Sequence, residues 1–193
     1  DGYTLKWTGD FENQQRASKR LAQVVPVSIA IIFVILFILF SNARDAGLVL
    51  LNVPFAAAGG IIALLITHFN FSISAGIGFI ALFGICIQNG VIMISGIKSN
   101  VRSHIPLSEA VKNTVRSRVR PVVMTAAMAA IGLMPAALSH GIGSESQRPL
   151  AIVIIGGVLC DTFFTLFIFP LIVEVIYGKT LYDKEGKLRQ RRV

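Results

Sequence analysis

Charge is scarce in this sequence: of 193 residues only 15% are charged, 18 Lys and Arg against 10 Asp and Glu. Soluble domains carry about 25% charged residues to coat their surface, so the composition argues against a water-soluble globule. A hydrophobic content of 54% and a mean hydropathy of +0.71 exclude a disordered tail. Cysteine is nearly missing. Cys86 and Cys160 both lie inside apolar runs without a C-x-x-C pairing, which leaves no disulfide framework and no zinc knuckle. They read as small packing residues. The chain also begins without an initiator Met or a basic, apolar signal sequence, so it reads as starting inside a longer protein.

What the sequence does have is long charge-free runs: Leu21 to Ala43, Ala46 to Ile97, Pro121 to Ser144, and Pro149 to Cys160, the last continuing apolar past Asp161 to Val173. A helix needs roughly 20 residues to cross the hydrocarbon layer. The runs therefore hold five crossings, expected at 24–40, 46–67, 75–97, 122–140 and 150–177, and the fold class is an all-α integral membrane bundle. Ahead of it, residues 1–23 carry a short strand pattern at Tyr3, Leu5 and Trp7, then a polar lead-in helix that Asp10 can cap. Residues 178–193 form a basic tail.

The net charge of +8 reflects topology rather than a nucleic-acid partner, because the cations cluster between and after the apolar runs. One side receives Lys6, Arg16, Lys19, Arg20 and Arg148. The other receives Arg44, six cations from Lys98 to Arg120, and six from Lys179 to Arg192. The positive-inside rule makes the richer side cytoplasmic, with the N-terminus outside. Between the third and fourth spans, Leu107, Val111, Val115 and Val119 recur every four residues beside Lys112, Arg116 and Arg120. This pattern predicts an amphipathic helix over 107–120 on the cytoplasmic membrane surface, with a solvated linker helix as the plainer alternative.

Polar groups within the spans are costly and become functional candidates by default. Gln88 and Asn89 lie mid-way along the third span, among Gly78, Gly84, Gly90 and Gly96, small residues on several faces that admit close neighbours. They are either cross-helix bonding groups or part of a transport core. Asp161 is the only acidic residue deep in an apolar run; it is either a proton carrier or a hydrogen-bonded packing residue beside Thr162 and Thr165. Met93, Met124, Met128 and Met134 fall in the third and fourth spans, and Cys86, Asn89 and Met93 share a helix face. Without paired Met or His the thioethers read as filler, so no metal ligand set and no cofactor is assigned. His68 and His140, at the outer ends of spans, read as interfacial polar residues rather than a metal pair, and His104, in the cytoplasmic stretch, carries no signal.

Arg118-Val119-Arg120-Pro121-Val122-Val123-Met124-Thr125, Gly132-Leu133-Met134-Pro135, Gly141-Ile142-Gly143-Ser144-Glu145, Gln147-Arg148-Pro149-Leu150-Ala151, Gly156-Gly157 and Phe169-Pro170 occur in that order. Together they resemble the end of a resistance-nodulation-division (RND) efflux pump. The Gln-Arg-Pro-Leu-Ala string and Gln88-Asn89-Gly90-Val91 resemble the heavy-metal efflux subfamily of the cobalt-zinc-cadmium exporter type. That resemblance implies the final five membrane helices of a much larger transporter, not an enzyme, preceded by the end of its periplasmic porter domain. It further implies an inner-membrane homotrimer that exchanges protons for divalent metal cations. Its partners would be the missing N-terminal half, a periplasmic adaptor, an outer-membrane channel and membrane lipids.

The resemblance also assigns coupling residues. Gln88 stands where drug exporters have a relay Lys and copper-silver exporters a Glu; Asn89, Arg118 and Thr125 match the drug exporters' Asn, Arg and Thr. Gln88 cannot change charge and is left as a hydrogen-bonding reporter. Val122 replaces a Lys of the copper-silver type, which removes support for a monovalent metal. Asp161 departs from the small hydroxyl residues expected there. Two other readings are an inactive truncated remnant of such a pump and a free-standing five-helix pore or assembly subunit.

Overall fold

A computed structural model describes residues 10–178 except residue 142; the strand pattern at Tyr3 to Trp7 and the basic tail lie outside the described residues. Six helices follow in order: α1 (Asp10–Phe40), α2 (Ala43–Leu50), α3 (Asn52–Ile66), α4 (Ile73–Arg102), α5 (Leu107–Leu138) and α6 (Ser144–Phe163). α6 continues through a π-helical turn (Phe164–Ile168) into helical residues 169–178. No strand occurs among the described residues. Five stretches are long and apolar enough to cross a membrane: Gln23–Phe40, Ala43–Ile66, Ile73–Arg102, Leu107–Leu138 and Ser144–Gly178. The protein is a multi-pass, all-α membrane bundle.

Two boundaries differ from the sequence expectation, both at proline. The lead-in helix does not stop before the first crossing: α1 is one helix of 31 residues running through Pro26. The amphipathic stretch 107–120 is likewise not a separate helix but the first half of α5, which carries straight through Pro121. Nor does its apolar row lie on lipid alone. Val111 is buried and Leu107 and Val115 pack on the same apolar cluster as Ala46, Ile94 and Ile97, while Val119 is exposed. Proline removes one hydrogen bond and crowds the carbonyl four residues back, a defect that long membrane helices tolerate when neighbours re-satisfy the freed groups. At Pro121 the neighbouring turn also gains a bond, because Thr125 Oγ1 donates to the Pro121 carbonyl at 2.9 Å.

Two other prolines do break the regular helix. Pro54 has no N–H for the carbonyl of Leu50, and the second crossing divides there into α2 and α3 at Leu51, whose N–H is shared between Gly47 O (3.0 Å) and Leu48 O (3.2 Å). Pro170 likewise leaves the Leu166 carbonyl without its donor, and the helix widens into the π turn around that carbonyl.

The bundle is held by close backbone approach. A Cβ on Gly59 would stand 2.3 Å from Cys160 Cβ and 2.9 Å from Gly156 O; one on Gly156 would stand 2.2 Å from Ala63 Cβ and 3.0 Å from Gly59 O. Gly59 with Ala63, and Gly156 with Cys160, are therefore facing small-xxx-small pairs that seat α3 on α6. On α4, a Cβ at Gly78 would meet Leu150 O at 3.0 Å, at Gly90 Asn52 Nδ2 at 2.5 Å, and at Gly96 Thr114 Cγ2 at 2.7 Å; Gly84 meets nothing within 4 Å. Three of these four glycines, Gly78, Gly90 and Gly96, thus admit three different neighbours, and α4 is the central helix.

Candidate functional site: a polar seam between two apolar clusters

The buried apolar residues fall into two clusters stacked along the bundle axis. One joins Ala56, Leu64, Ala75, Phe79, Leu82, Cys86, Ile152, Val153 and Val158; the other joins Ala46, Val49, Met93, Ile94, Ile97, Phe164, Phe169 and Val173. On each of three chain segments one polar residue stands between the clusters: Asn52 at the break between α2 and α3, Asn89 on α4, and Asp161 on α6. All three are buried, as is Thr165 in the π turn, with Asn52, Asp161 and Thr165 at 0% exposure.

They touch. Asn89 Nδ2 donates to Asp161 Oδ2 at 2.8 Å. The Thr165 hydroxyl lies 3.5 Å from both Asp161 Oδ1 and Asn52 Oδ1. Asn52 Nδ2 donates to the Val49 carbonyl at 3.0 Å, and the Cys86 thiol reaches Asp161 from the turn before Asn89. Asp161 faces no cation among the described residues. Its carboxyl is held by an amide, a hydroxyl and a thiol, and the two irregular backbone segments of the bundle meet around it.

The other expected coupling residues lie elsewhere. Gln88 is exposed, directed away from the side on which its neighbour Asn89 is buried. Thr125 is exposed on α5. Arg118 is half-buried, and its Nε is buried without a hydrogen-bond partner among the described residues. Asn89 and Asp161 are therefore brought together inside the bundle, and Gln88, Arg118 and Thr125 are not part of their network. Met93 is buried, whereas Met124, Met128 and Met134 are exposed on α5.

Sequence reasoning missed a second polar cluster. Asp45, at 0% exposure in the first turn of α2, accepts Lys98 Nζ at 2.6 Å and a short bond from the Tyr177 hydroxyl. Lys98 also reaches the Phe40 carbonyl at 3.5 Å and lies 5.3 Å from the Phe40 ring centre. This ties α1, α2, α4 and the last helical segment together at one end of the bundle. Asp45 had only a loop position to announce it, since its partners are 53 and 132 residues away in sequence.

The model of the AcrB/AcrD/AcrF family matches residues 1–177. The chain belongs to the AcrB/AcrD/AcrF family. Within it, the chain is 44% identical over 178 residues to the cobalt-zinc-cadmium resistance protein CzcA of Cupriavidus metallidurans, covering 92% of this chain and 17% of that protein. It is 41% identical over 175 residues to the nickel and cobalt resistance protein CnrA of the same organism, covering 91% and 16%. A crystal structure of a heavy metal efflux pump superposes with a TM-score of 0.80 at 43% identity, over 92% of this chain and 18% of that one. The heavy-metal RND branch that the motifs resemble is the branch these comparisons match. As a member of the AcrB/AcrD/AcrF family, the chain corresponds to about a sixth of the length of these relatives, and it is a transporter segment.

Proposed function

We propose that the chain is the C-terminal membrane part of a proton-driven exporter of divalent heavy-metal cations in a bacterial inner membrane. The pump would work as a homotrimer joined to a periplasmic adaptor and an outer-membrane channel. Metal specificity is supported by the names of CzcA and CnrA, which carry cobalt, zinc, cadmium and nickel. The observation that carries the coupling role is the Asn89–Asp161 bond at the seam. Membrane carboxyls without a cation partner are expensive, and they recur on ion and proton pathways.

Gln88 and Asn89 are successive residues on α4, so their side chains leave the helix about 100° apart. One faces out of this five-helix unit, toward the place where the pump's other half would stand, and the other binds Asp161. The hydroxyl of Thr165 both donates and accepts. With Asp161 ionised, the hydroxyl donates to the carboxylate. With Asp161 protonated, it accepts a hydrogen bond from the carboxylic acid and donates instead to Asn52 Oδ1, and the charge state of α6 is passed to the break between α2 and α3. Arg118 contributes a fixed charge within α5, just ahead of the crossing expected at 122–140, and its unpartnered buried Nε suits a group supplied from outside this segment. Thr125 lies two turns along the same face.

The test is metal-dependent proton flux in proteoliposomes holding the full-length pump. Arg118→Ala and Asp161→Asn are expected to abolish flux while metal binding persists, and Gln88→Ala to weaken it. Full flux in both Arg118→Ala and Asp161→Asn would overturn the reading. The orientation is tested separately by single-cysteine labelling from outside: positions in 68–74 should react and Thr114 should not.

A further inference from the structure

A cleft of ≈ 330 Å³ opens between the last turn of α1 and the last two turns of α4, at the end of the bundle that carries the Asp45–Lys98 pair. That volume matches the lower range of small-molecule sites. Ser95, Ser99 and Arg102 recur at offsets of four and seven, which puts them on one exposed face of α4. Lys98 beside them is held in place by Asp45 and by the Phe40 carbonyl. The Arg102 side chain has no hydrogen-bond or ion-pair partner among the described residues. No acidic residue lines the cleft; Asp45 behind it offsets Lys98, so Arg102 leaves the cleft cationic.

The opposite wall is apolar. Leu39 is 59% exposed, and it continues a strip of exposed Ile31, Val34, Ile35 and Ile38 along α1. The cleft therefore joins one guanidinium, one ammonium and three serine hydroxyls, those of Ser41, Ser95 and Ser99, to an exposed hydrocarbon strip, at the end of the apolar stretches Gln23–Phe40 and Ile73–Arg102.

From this juxtaposition we infer that the α1/α4 cleft binds an anionic phospholipid, its phosphate against Arg102 and Lys98, its headgroup hydroxyls on Ser95 and Ser99, and an acyl chain along α1. Arg is suited to phosphate because its planar fork offers paired donors. A lipid fits better than free phosphate because the apolar wall gives a hydrocarbon chain a surface that an inorganic ion cannot use. None of these residues belongs to the coupling network, so the site stands or falls independently of the transport reading.

The test is native mass spectrometry of the full-length pump released from nanodiscs of mixed phosphatidylethanolamine and phosphatidylglycerol. Wild type is expected to retain phosphatidylglycerol in preference. Arg102→Ala should lower its retention roughly fivefold, the worth of one interfacial cation, and Arg102→Lys should restore most of it. Arg116→Ala, an exposed cation on α5, is the control and should change nothing. Leu39→Gln should also weaken retention, because it interrupts the hydrocarbon strip. Equal retention in Arg102→Ala and wild type, or no preference between the two lipids, would overturn the site. Displacement by millimolar inorganic phosphate with no effect of Leu39→Gln would make it a phosphate site and overturn the lipid assignment.

Discussion

The first crossing has the highest mean hydropathy, 2.8, yet only 11% of its window is buried; the third and fifth have 2.1 and 2.3 and are 44% and 50% buried. In water this order would be reversed. In a bilayer, apolar side chains gain nothing by leaving lipid for protein, and what draws helices together is close packing and polar contact. α1 is accordingly rich in Ile, Val and Phe that face outward, while α3, α4 and α6 are seated by Gly59, Gly90 and Gly156 and joined by Asn52, Asn89 and Asp161. Among the described residues, small and polar side chains set where the helices meet, between clusters of buried Leu, Ile, Val and Phe, while the large apolar residues of α1 stand mostly exposed.

That contrast is most sharply broken by disconnecting a buried polar group. Lys98→Ala leaves the carboxylate of Asp45 buried with only Tyr177, and the expected loss is about 3–5 kcal/mol, as for other severed buried ion pairs. Chemical denaturation in detergent micelles would measure it. A loss under about 1 kcal/mol would place the pair in the class of surface ion pairs.

Next in size is the helix seat. Gly156→Leu must push α6 away from Ala63 and Gly59, where even a Cβ has no room, and is expected to cost at least about 1–3 kcal/mol. Gly84→Ala meets open space and should change stability by less than about 1 kcal/mol, with a helix-propensity gain. Equal effects at the two glycines would show that helix propensity, not approach, decides their use.

At the seam, Asn89→Ala removes the donor to Asp161 and should cost about 1–3 kcal/mol by leaving a buried carboxyl under-bonded. Amide hydrogen exchange would localise the loss to α4 and α6. The smallest effect belongs to the outer surface: Met124→Leu and Met128→Leu, exposed on α5, should leave stability unchanged within about 0.5 kcal/mol. A measurable loss there would mean that these thioethers do more than fill space.

Five crossings were legible because apolar runs and the charges that end them announce most of them locally, while the single charge-free run from Ala46 to Ile97 is long enough for two. The importance of Asp161 and Asn89 was legible too, since a polar residue in such a run is conspicuous by itself. Their bond to each other was not, because 72 residues separate them. Asn52 gave no separate signal, and Asp45 sat in an expected loop. Proline was the least readable residue: Pro26 and Pro121 lie inside continuous helices, whereas Pro54 and Pro170 accompany breaks. A missing N–H is local, but whether the helix yields around it depends on what packs there.

Composition and periodicity alone determined that this chain is a membrane bundle, how many times it crosses, and which residues carry charge or hydrogen-bonding capacity inside it, because solvation by hydrocarbon acts on each segment independently. Tertiary structure decided which of those residues meet. Asn89 rather than Gln88 faces Asp161, and Lys98 finds Asp45. The amphipathic half of α5 lies against the bundle because Ala46, Ile94 and Ile97 are brought beneath it. Those choices rest on the rotation and spacing of helices, which the approach of Gly59 to Gly156 and of Gly90 to Asn52 sets, and no single segment contains them.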